Sequence, residues 1–476
     1  MARVLAWPAT HPYALLSLLG GVCLLAFLAT IPLPRIDGQL VGSDGAGYYS
    51  YLPAVVLDGR LDLSAEFQKL HVVGIKATSW RTATGRQPNP WPIGAALLWI
   101  PFFLIAHAAV LVANGAGAGL SSDGCSNFHQ AVVISGNILY GLVAILVTFR
   151  VASRFSTRAA AVWATALVLC GGNLVYYMTA EASMAHPTSA FATSLFFLAW
   201  IELRGRPGPR RAIVYGLIGG LLALVRTQEA VFLALPFIVE LPALGRRLFS
   251  RTTREPGRTR LTALGQFAGE AAISLCVALV IFSPQVWVSH YIYGMWTPAQ
   301  LYIGAAGGSP FTWTAPHLTA VLVSAHRGLF TWHPVFLLGV IGLALLWRRD
   351  RRAAALCLLA VTTQVYILGA WYDWHQGDAF GGRAFIGCTT AFATGLAVLL
   401  DATLGTARWR RGKAWLAAAV TCLIVVANFL LFVEYRFDLV NARRTVTWQD
   451  LGTRRLTYFL DKIGSGTRPD QTPGSR

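Results

Sequence analysis

An aspartate set among glycines can be brought close to a ligand by its backbone as well as its side chain, because glycine lacks the Cβ that holds chain and ligand apart. Gly42-Ser-Asp-Gly-Ala-Gly-Tyr-Tyr gives Asp44 that setting, and the pattern places Tyr48 and Tyr49 on a short helix behind it. A carboxylate so exposed suits a general base, accepting the proton of an attacking hydroxyl. An Asp-Gly pair is equally the chemistry of a simple turn. Towards the other end, Trp371-Tyr-Asp-Trp-His-Gln-Gly-Asp-Ala-Phe-Gly-Gly-Arg gathers Asp373, His375, Asp378 and Arg383 within a short run. Arg383 opens an apolar stretch, where an unpaired cation is costly; it either pairs with Asp378 or binds an anion. Arg327, in Ser-Ala-His-Arg-Gly-Leu-Phe-Thr-Trp-His-Pro, and Arg226, in Val-Arg-Thr-Gln-Glu, also stand singly beside apolar runs. For Arg226 the alternative partner is Glu229, one helical turn on. Guanidinium forks match phosphate oxygens, so three such arginines suggest a phosphate held at a membrane surface. Glu181, His186, His326 and His375 could orient a substrate or hold a divalent cation. Their spacing by itself forms no metal motif.

The elements that must position these groups follow from composition. Of 476 residues, 55% are hydrophobic and only 13% charged, about half the charged share of a soluble domain. The expected fold is an all-α polytopic membrane protein. Apolar runs near the ~20 residues needed to cross a bilayer occupy 13–33, 129–149, 159–178, 187–203, 267–288, 353–371, 384–404 and 414–433. Three shorter ones lie at 213–225, 230–241 and 334–347, which brings the expected spans to about eleven. The first run is preceded by Arg3 and followed by no small-residue cleavage site, so it reads as an uncleaved span. The seven cysteines form no Cys-x-x-Cys pair and read as small buried hydrophobes. Phosphate loops and nucleophile elbows are absent.

Lys and Arg outnumber Asp and Glu by 39 to 21, a net charge of +18. Of the 39, 22 fall at Arg3 and in five short loops, 150–158, 204–211, 246–260, 348–352 and 408–413. That is the charge asymmetry of cytoplasmic loops, so the excess is topological and excludes nucleic acid as a partner. A further apolar run at 93–113 would reverse every later loop if it crossed; it is expected to lie along the outer surface or re-enter. The expected organisation is a transmembrane catalytic domain at 1–433, a first outer loop at 34–128 with a juxtamembrane helix at 93–113, a second outer loop at 289–333 and an extracytoplasmic tail at 434–476. Most histidines, and Trp287, Tyr291, Trp296, Trp313, Trp332, Trp371, Tyr372 and Trp374, fall on the outer side. Chemistry or binding is therefore expected there.

Taken in order, these segments resemble the C-type (GT-C) membrane glycosyltransferases, the protein O-mannosyltransferases and family 39-type, PMT-like bacterial enzymes among them. The carrying residues are Asp44-Gly-Ala-Gly-Tyr-Tyr, Asn89-Pro-Trp-Pro, Glu181-Ala-Ser-Met-Ala-His, Val225-Arg-Thr-Gln, His326-Arg-Gly-Leu-Phe-Thr-Trp-His-Pro and Gly381-Gly-Arg-Ala-Phe. The resemblance implies an inverting hexosyl or pentosyl transfer from a polyprenyl-phosphate-linked donor to a glycan, lipid or protein acceptor of the cell envelope. It implies Asp44 as the catalytic carboxylate; the chemistry of the residues themselves then puts Arg383, Arg327 and Arg226 on the donor phosphate and the remaining polar residues, with Tyr48 and Tyr49, on substrate. It implies a bacterial inner membrane, with the active site facing the periplasm and membrane lipids as surroundings. Two departures leave metal dependence and acceptor class open: a single acid at the catalytic position, and Pro88-Asn-Pro-Trp-Pro where relatives carry a Lys-Pro-Pro-Leu type motif. The rival reading is a transporter or lipid flippase, which would predict inverted repeats and mid-membrane charges.

Overall fold

A helix underlies each of the eleven apolar stretches, and one more covers the ambiguous run. They are α1 (Pro12–Leu28), α2 (Gly94–Gly115), α3 (Asn127–Ala152), α4 (Arg158–Gly171), α5 (His186–Leu203), α6 (Pro209–Val225), α7 (Leu235–Phe249), α8 (Gly257–Tyr293), α9 (Pro334–Arg349), α10 (Arg351–Ala370), α11 (Thr389–Leu404) and α12 (Arg411–Arg436). Short 3-10 helices, Thr227–Ala234 and Arg383–Cys388, lead into α7 and α11. The structure is a computed structural model that describes residues 10–31, 38–42, 44–72, 81–249, 257–297, 311–404, 411–436 and 445–452. Ser43, parts of both outer loops, Arg408, Arg410 and most of the tail lie outside the described residues.

Among the described residues regular structure is helical, and one isolated bridge pairs Phe311 with Trp371. Six helices among the described residues are long and apolar enough to cross a membrane: Gly94–Gly115, Asn127–Ala152, Thr227–Arg246, Arg260–Tyr293, Arg351–Ala370 and Arg383–Thr403. Pro12–Leu28 and Arg158–Gly171 are shorter apolar helices. The chain is an all-α, multi-pass membrane protein. One expected span differs in shape: 159–178 is broken at Gly172-Asn173 into α4 and the four-residue helix Leu174–Tyr177. The break lets the Asn173 amide donate to the Gly382 carbonyl at 2.8 Å, which ties it to the segment carrying Arg383. The cysteines are free; Cys276 and Cys422 are exposed on α8 and α12 rather than buried.

Three of the five basic loops, 150–158, 204–211 and 348–352, meet at one end of the bundle. Arg150 and Arg154 both reach Glu202, Arg204 reaches Asp350 at 2.5 Å, and Arg349 reaches Asp401 at 2.7 Å and the Phe155 carbonyl at 2.9 Å. Segments sorted together by charge alone are therefore in contact. Arg211, on the first turn of α6, is buried between Glu240 of α7 and Glu270 of α8. At the centre, α9 and α11 cross at glycines: a Cβ on Gly342 or Gly395 would fall on the backbone of the facing helix. Small residues permit that approach where lipid supplies no hydrophobic drive.

α2 packs antiparallel to α3. Leu98 accepts from Tyr140 at 2.8 Å, Phe102 lies against Gly136, and His107 meets His129 at 3.4 Å. Its start is pressed on the Leu224 carbonyl, at the end of α6 far from Arg211, with no room for a Cβ on Gly94. The segment before α2 and the loop after it therefore both lie away from the arginine end. Trp99 donates to Thr188 at 2.9 Å and Ile93 N–H to Gln285 at 2.9 Å; these contacts tie α2 to α5 and α8.

Candidate active site

The short helix Asp44–Tyr49 carries the aspartate, and its glycines are there for contact. A Cβ on Gly45 would enter Ser183, and one on Gly47 would fall inside the Trp91 ring. Asn89 donates to the Gly47 carbonyl at 3.0 Å and accepts the Trp91 N–H at 3.2 Å, so Asn89-Pro-Trp-Pro forms a clasp over this helix. Upstream, Gln130 accepts the N–H groups of Leu40 and Val41, both at 2.9 Å. The aspartate thus projects from a backbone packed on three sides.

Asp44 Oδ2 meets Arg383 at 3.1 Å, with side chains 30% and 18% exposed. The pair opens onto a cavity of about 670 Å³ that Tyr48, Trp91, Arg226, Gln228, Asp373, Gln376 and Asp378 also line. Arg226 donates to His186 Nδ1 at 2.6 Å and to the Gln228 side-chain oxygen Oε1 at 3.5 Å. Among the described residues no carboxylate lies within ion-pair distance of it, so it brings an unneutralised cation to the cavity. His186 is buried, its ring centroid 4.3 Å from that of Tyr177. Tyr177 in turn accepts the Phe380 N–H at 3.1 Å.

Behind the Asp373–Asp378 turn lies a second cluster. Arg327 is buried, 4.0 Å from Asp378, 3.4 Å from His375 Nδ1 and 3.5 Å from His326. His375 pairs with Asp373 at 2.9 Å, and Asp373 also accepts the Gly377 N–H at 3.1 Å. Burial pushes the Asp373 carboxyl up, but these hydrogen bonds and the nearby Arg383 charge outweigh it and hold it below the usual range. Arg327 and Gln376 both sit at positive φ, 67° and 66°, a conformation that costs a non-glycine residue about 1–3 kcal/mol. Gln376 recovers part of this by accepting the Ala384 N–H at 2.7 Å, which locks the turn to the residue after Arg383.

The predicted residues therefore divide. Asp44, Tyr48, Arg226, Asp373, Asp378 and Arg383 line one cavity, with His186 directly behind Arg226. Arg327, His326 and His375 form the supporting cluster. Tyr49 points away: it is fully buried, packs on Phe103 and donates to the Gly124 carbonyl at 2.8 Å. Glu181 does not line the cavity; its turn folds back on Tyr176. Sequence reasoning missed Trp91, Gln228 and Gln376 as lining groups, although each adjoins a motif already singled out. No group of three His, Cys, Asp or Glu side chains suited to a metal ion occurs among the described residues. A smaller cavity of about 120 Å³ at the arginine end is bordered by Arg211, Glu240 and Glu270, already tied to each other.

His326 links the cluster to the chain's C-terminal part by accepting the Val446 N–H at Nδ1, 3.1 Å away. Burial, with Arg327 and His375 adjacent, pushes this imidazole down to about 4. The folded form therefore binds its proton less tightly than an unfolded histidine near 6.5. Stability from this contact is complete above pH 6.5 and declines as pH falls towards 4. Hydrogen exchange at the Val446 amide, corrected for intrinsic rate, is expected to lose protection across that window, and His326→Gln to remove the dependence.

The chain is similar to ArnT from Cupriavidus metallidurans, solved bound to undecaprenyl phosphate, at 13% identity and a TM-score of 0.47 over 94% of this chain and 75% of that one. It is similar also to an oligosaccharyltransferase from Archaeoglobus fulgidus, solved in complex with zinc and sulfate, at 14% identity and a TM-score of 0.44 over 87% of this chain and 53% of that one. No protein-family model and no curated protein matches the sequence. What the cavity can do is set by the side chains around it, not by these likenesses.

Proposed function

We propose that this chain is a C-type membrane glycosyltransferase that moves a sugar from a polyprenyl-phosphate donor to an acceptor hydroxyl on the extracytoplasmic side. The supporting observation is the convergence of Asp44, Arg383 and Arg226, from three distant segments, on one cavity at the end of the bundle opposite the basic loops. In this reading the acceptor oxygen attacks the anomeric carbon, its proton passes to Asp44, and the bond from that carbon to the phosphate oxygen breaks. The released polyprenyl phosphate keeps the electron pair, and Arg383 and Arg226 stabilise the charge it gains. One displacement inverts the anomeric centre. Arg327, behind Asp378, adds positive potential without reaching the cavity lining. Tyr48 and Asp373, which line the cavity, are assigned to substrate. We place the chain in a bacterial inner membrane; the arginine loops then orient it with their end in the cytoplasm, and α2 belongs to the outer side. A flippase would need no general base beside its phosphate site.

The test is transfer from labelled polyprenyl-phosphate sugars in membranes carrying wild-type or Arg226→Gln protein. A charge-assisted bond to phosphate is worth roughly 1.5–3 kcal/mol. Arg226→Gln is therefore expected to raise the donor KM at least tenfold with a smaller change in kcat. An unchanged KM would remove Arg226 from the donor site, and no transfer by the wild type from any polyprenyl-phosphate sugar would overturn the reading.

A further inference from the structure

We propose that the aromatic panel on the α10 side of the cavity seats the acceptor, and that this acceptor is a neutral glycan whose sugar ring stacks there. The inference rests on the glycosyltransferase reading. The panel has Phe311 and Trp313 stacked, ring centroids 4.5 Å apart and planes 9° from parallel, with Trp371 edge-on to Phe311 at 4.9 Å. Trp313 stacks in turn on Tyr366 at 5.9 Å. Trp313 is 46% exposed and Tyr372 is 62% exposed, and both line the cavity that holds Asp44.

The panel is held in place. Thr312 N–H donates to the Ala370 carbonyl at 2.7 Å, His317 N–H to Gly369 at 2.7 Å, and the Tyr366 hydroxyl to the Trp313 carbonyl at 2.7 Å. These bonds fix the 311–317 segment across the end of α10, so the rings form a wall rather than a loose flap. An interface belt of Trp and Tyr has no need of such ties.

The neighbouring polar groups select among occupants. Asp373, Gln376 and Asp378 follow Trp371 and Tyr372 in the same turn and line the same cavity. A sugar ring has an apolar C–H face and a rim of hydroxyl donors, so it meets aromatic faces and carboxylate and amide oxygens at once. A polyprenyl chain would use the rings but offer nothing to Asp378. An anionic headgroup would be drawn to Arg226 and Arg383 instead, and at the panel it would meet two carboxylates of its own sign.

The experiment titrates neutral hexose oligosaccharides of differing linkage into the purified full-length protein in nanodiscs, with no donor present, and polyprenyl phosphate alone in a separate series. At least one oligosaccharide is expected to bind. Trp313→Ala should weaken it about tenfold, the upper range of a stacking contact, whereas Trp313→Phe, which keeps a flat face, should restore most of the affinity. Both variants keep the backbone ties described above. Glycan binding that ignores Trp313→Ala, or no oligosaccharide bound by a protein that binds polyprenyl phosphate, overturns the panel's role. A loss of polyprenyl phosphate affinity in Trp313→Ala equal to any loss for glycan overturns it too, assigning the panel to the lipid. Glycan binding that depends on Trp313, without any binding of polyprenyl phosphate, leaves the panel as a glycan seat and overturns the transferase reading instead.

Discussion

Asp44→Asn is expected to lower the turnover of sugar transfer by roughly 10³-fold, within the range for a positioned general base, while the protein still accumulates and still binds polyprenyl phosphate. The substitution keeps the shape of the side chain, so the packing of Gly45 on Ser183 and of Gly47 on Trp91 is undisturbed. It removes the proton-accepting oxygen, and it leaves Arg383 without the carboxylate that stands 3.1 Å away. Freed from that partner, Arg383 should hold the donor phosphate as well as before or better. The predicted signature is therefore a collapse of kcat with donor affinity unchanged or improved. Asp44→Glu should also be slow, because the clasped helix cannot retreat to admit a longer side chain. The measurement is single-turnover transfer at equal abundance in the membrane. A rate within tenfold of wild type for Asp44→Asn would exclude Asp44 as the base.

Helix order and the grouping of the basic loops were legible in the sequence because both are one-dimensional. A run of apolar residues makes its own helix whatever surrounds it, since backbone groups in lipid must bond internally, and the position of arginines between runs needs no tertiary information. Contacts such as Arg204 with Asp350 and Arg349 with Asp401 then unite loops that charge had already grouped. The break at Gly172-Asn173 was less legible, because its cause is the distant Gly382 carbonyl.

Pairing among the charged groups was not legible, because local rules name local partners. The one-turn rule offers Glu229 to Arg226. In the fold Arg226 has extended backbone, φ −145° and ψ 105°, and the 3-10 helix begins only at Thr227. The arginine therefore swings to His186, and Glu229 turns into the bundle to accept from Ser189 at 2.5 Å. The same holds for Arg383. Asp378, five residues before it, faces Arg327, and the partner of Arg383 comes from the first loop. Tyr48 and Tyr49 make the point on a smaller scale. Neighbours on a helix point about 100° apart, so only Tyr48 can line the cavity while Tyr49 is buried against Phe103.

Arg383→Gln is expected to lower kcat by roughly 10²–10³-fold, the cost of removing one preorganised donor to a developing anion, and to weaken donor binding as well. That second effect separates it from Asp44→Asn. The guanidinium has two tasks that cannot be performed together: in the resting protein it pairs with Asp44, and in the reacting complex it must face phosphate. Arrival of the donor would draw it away and leave the carboxylate free to accept the acceptor proton. Arg383→Lys keeps the charge but loses the planar fork, so it should retain donor binding better than Gln while recovering only part of kcat. Because the two groups act as one device, the double variant Asp44→Asn with Arg383→Gln should be little slower than the worse single variant. Effects that multiply in the double variant would mean that Asp44 and Arg383 act independently, and the exchange of partners would fall with that result.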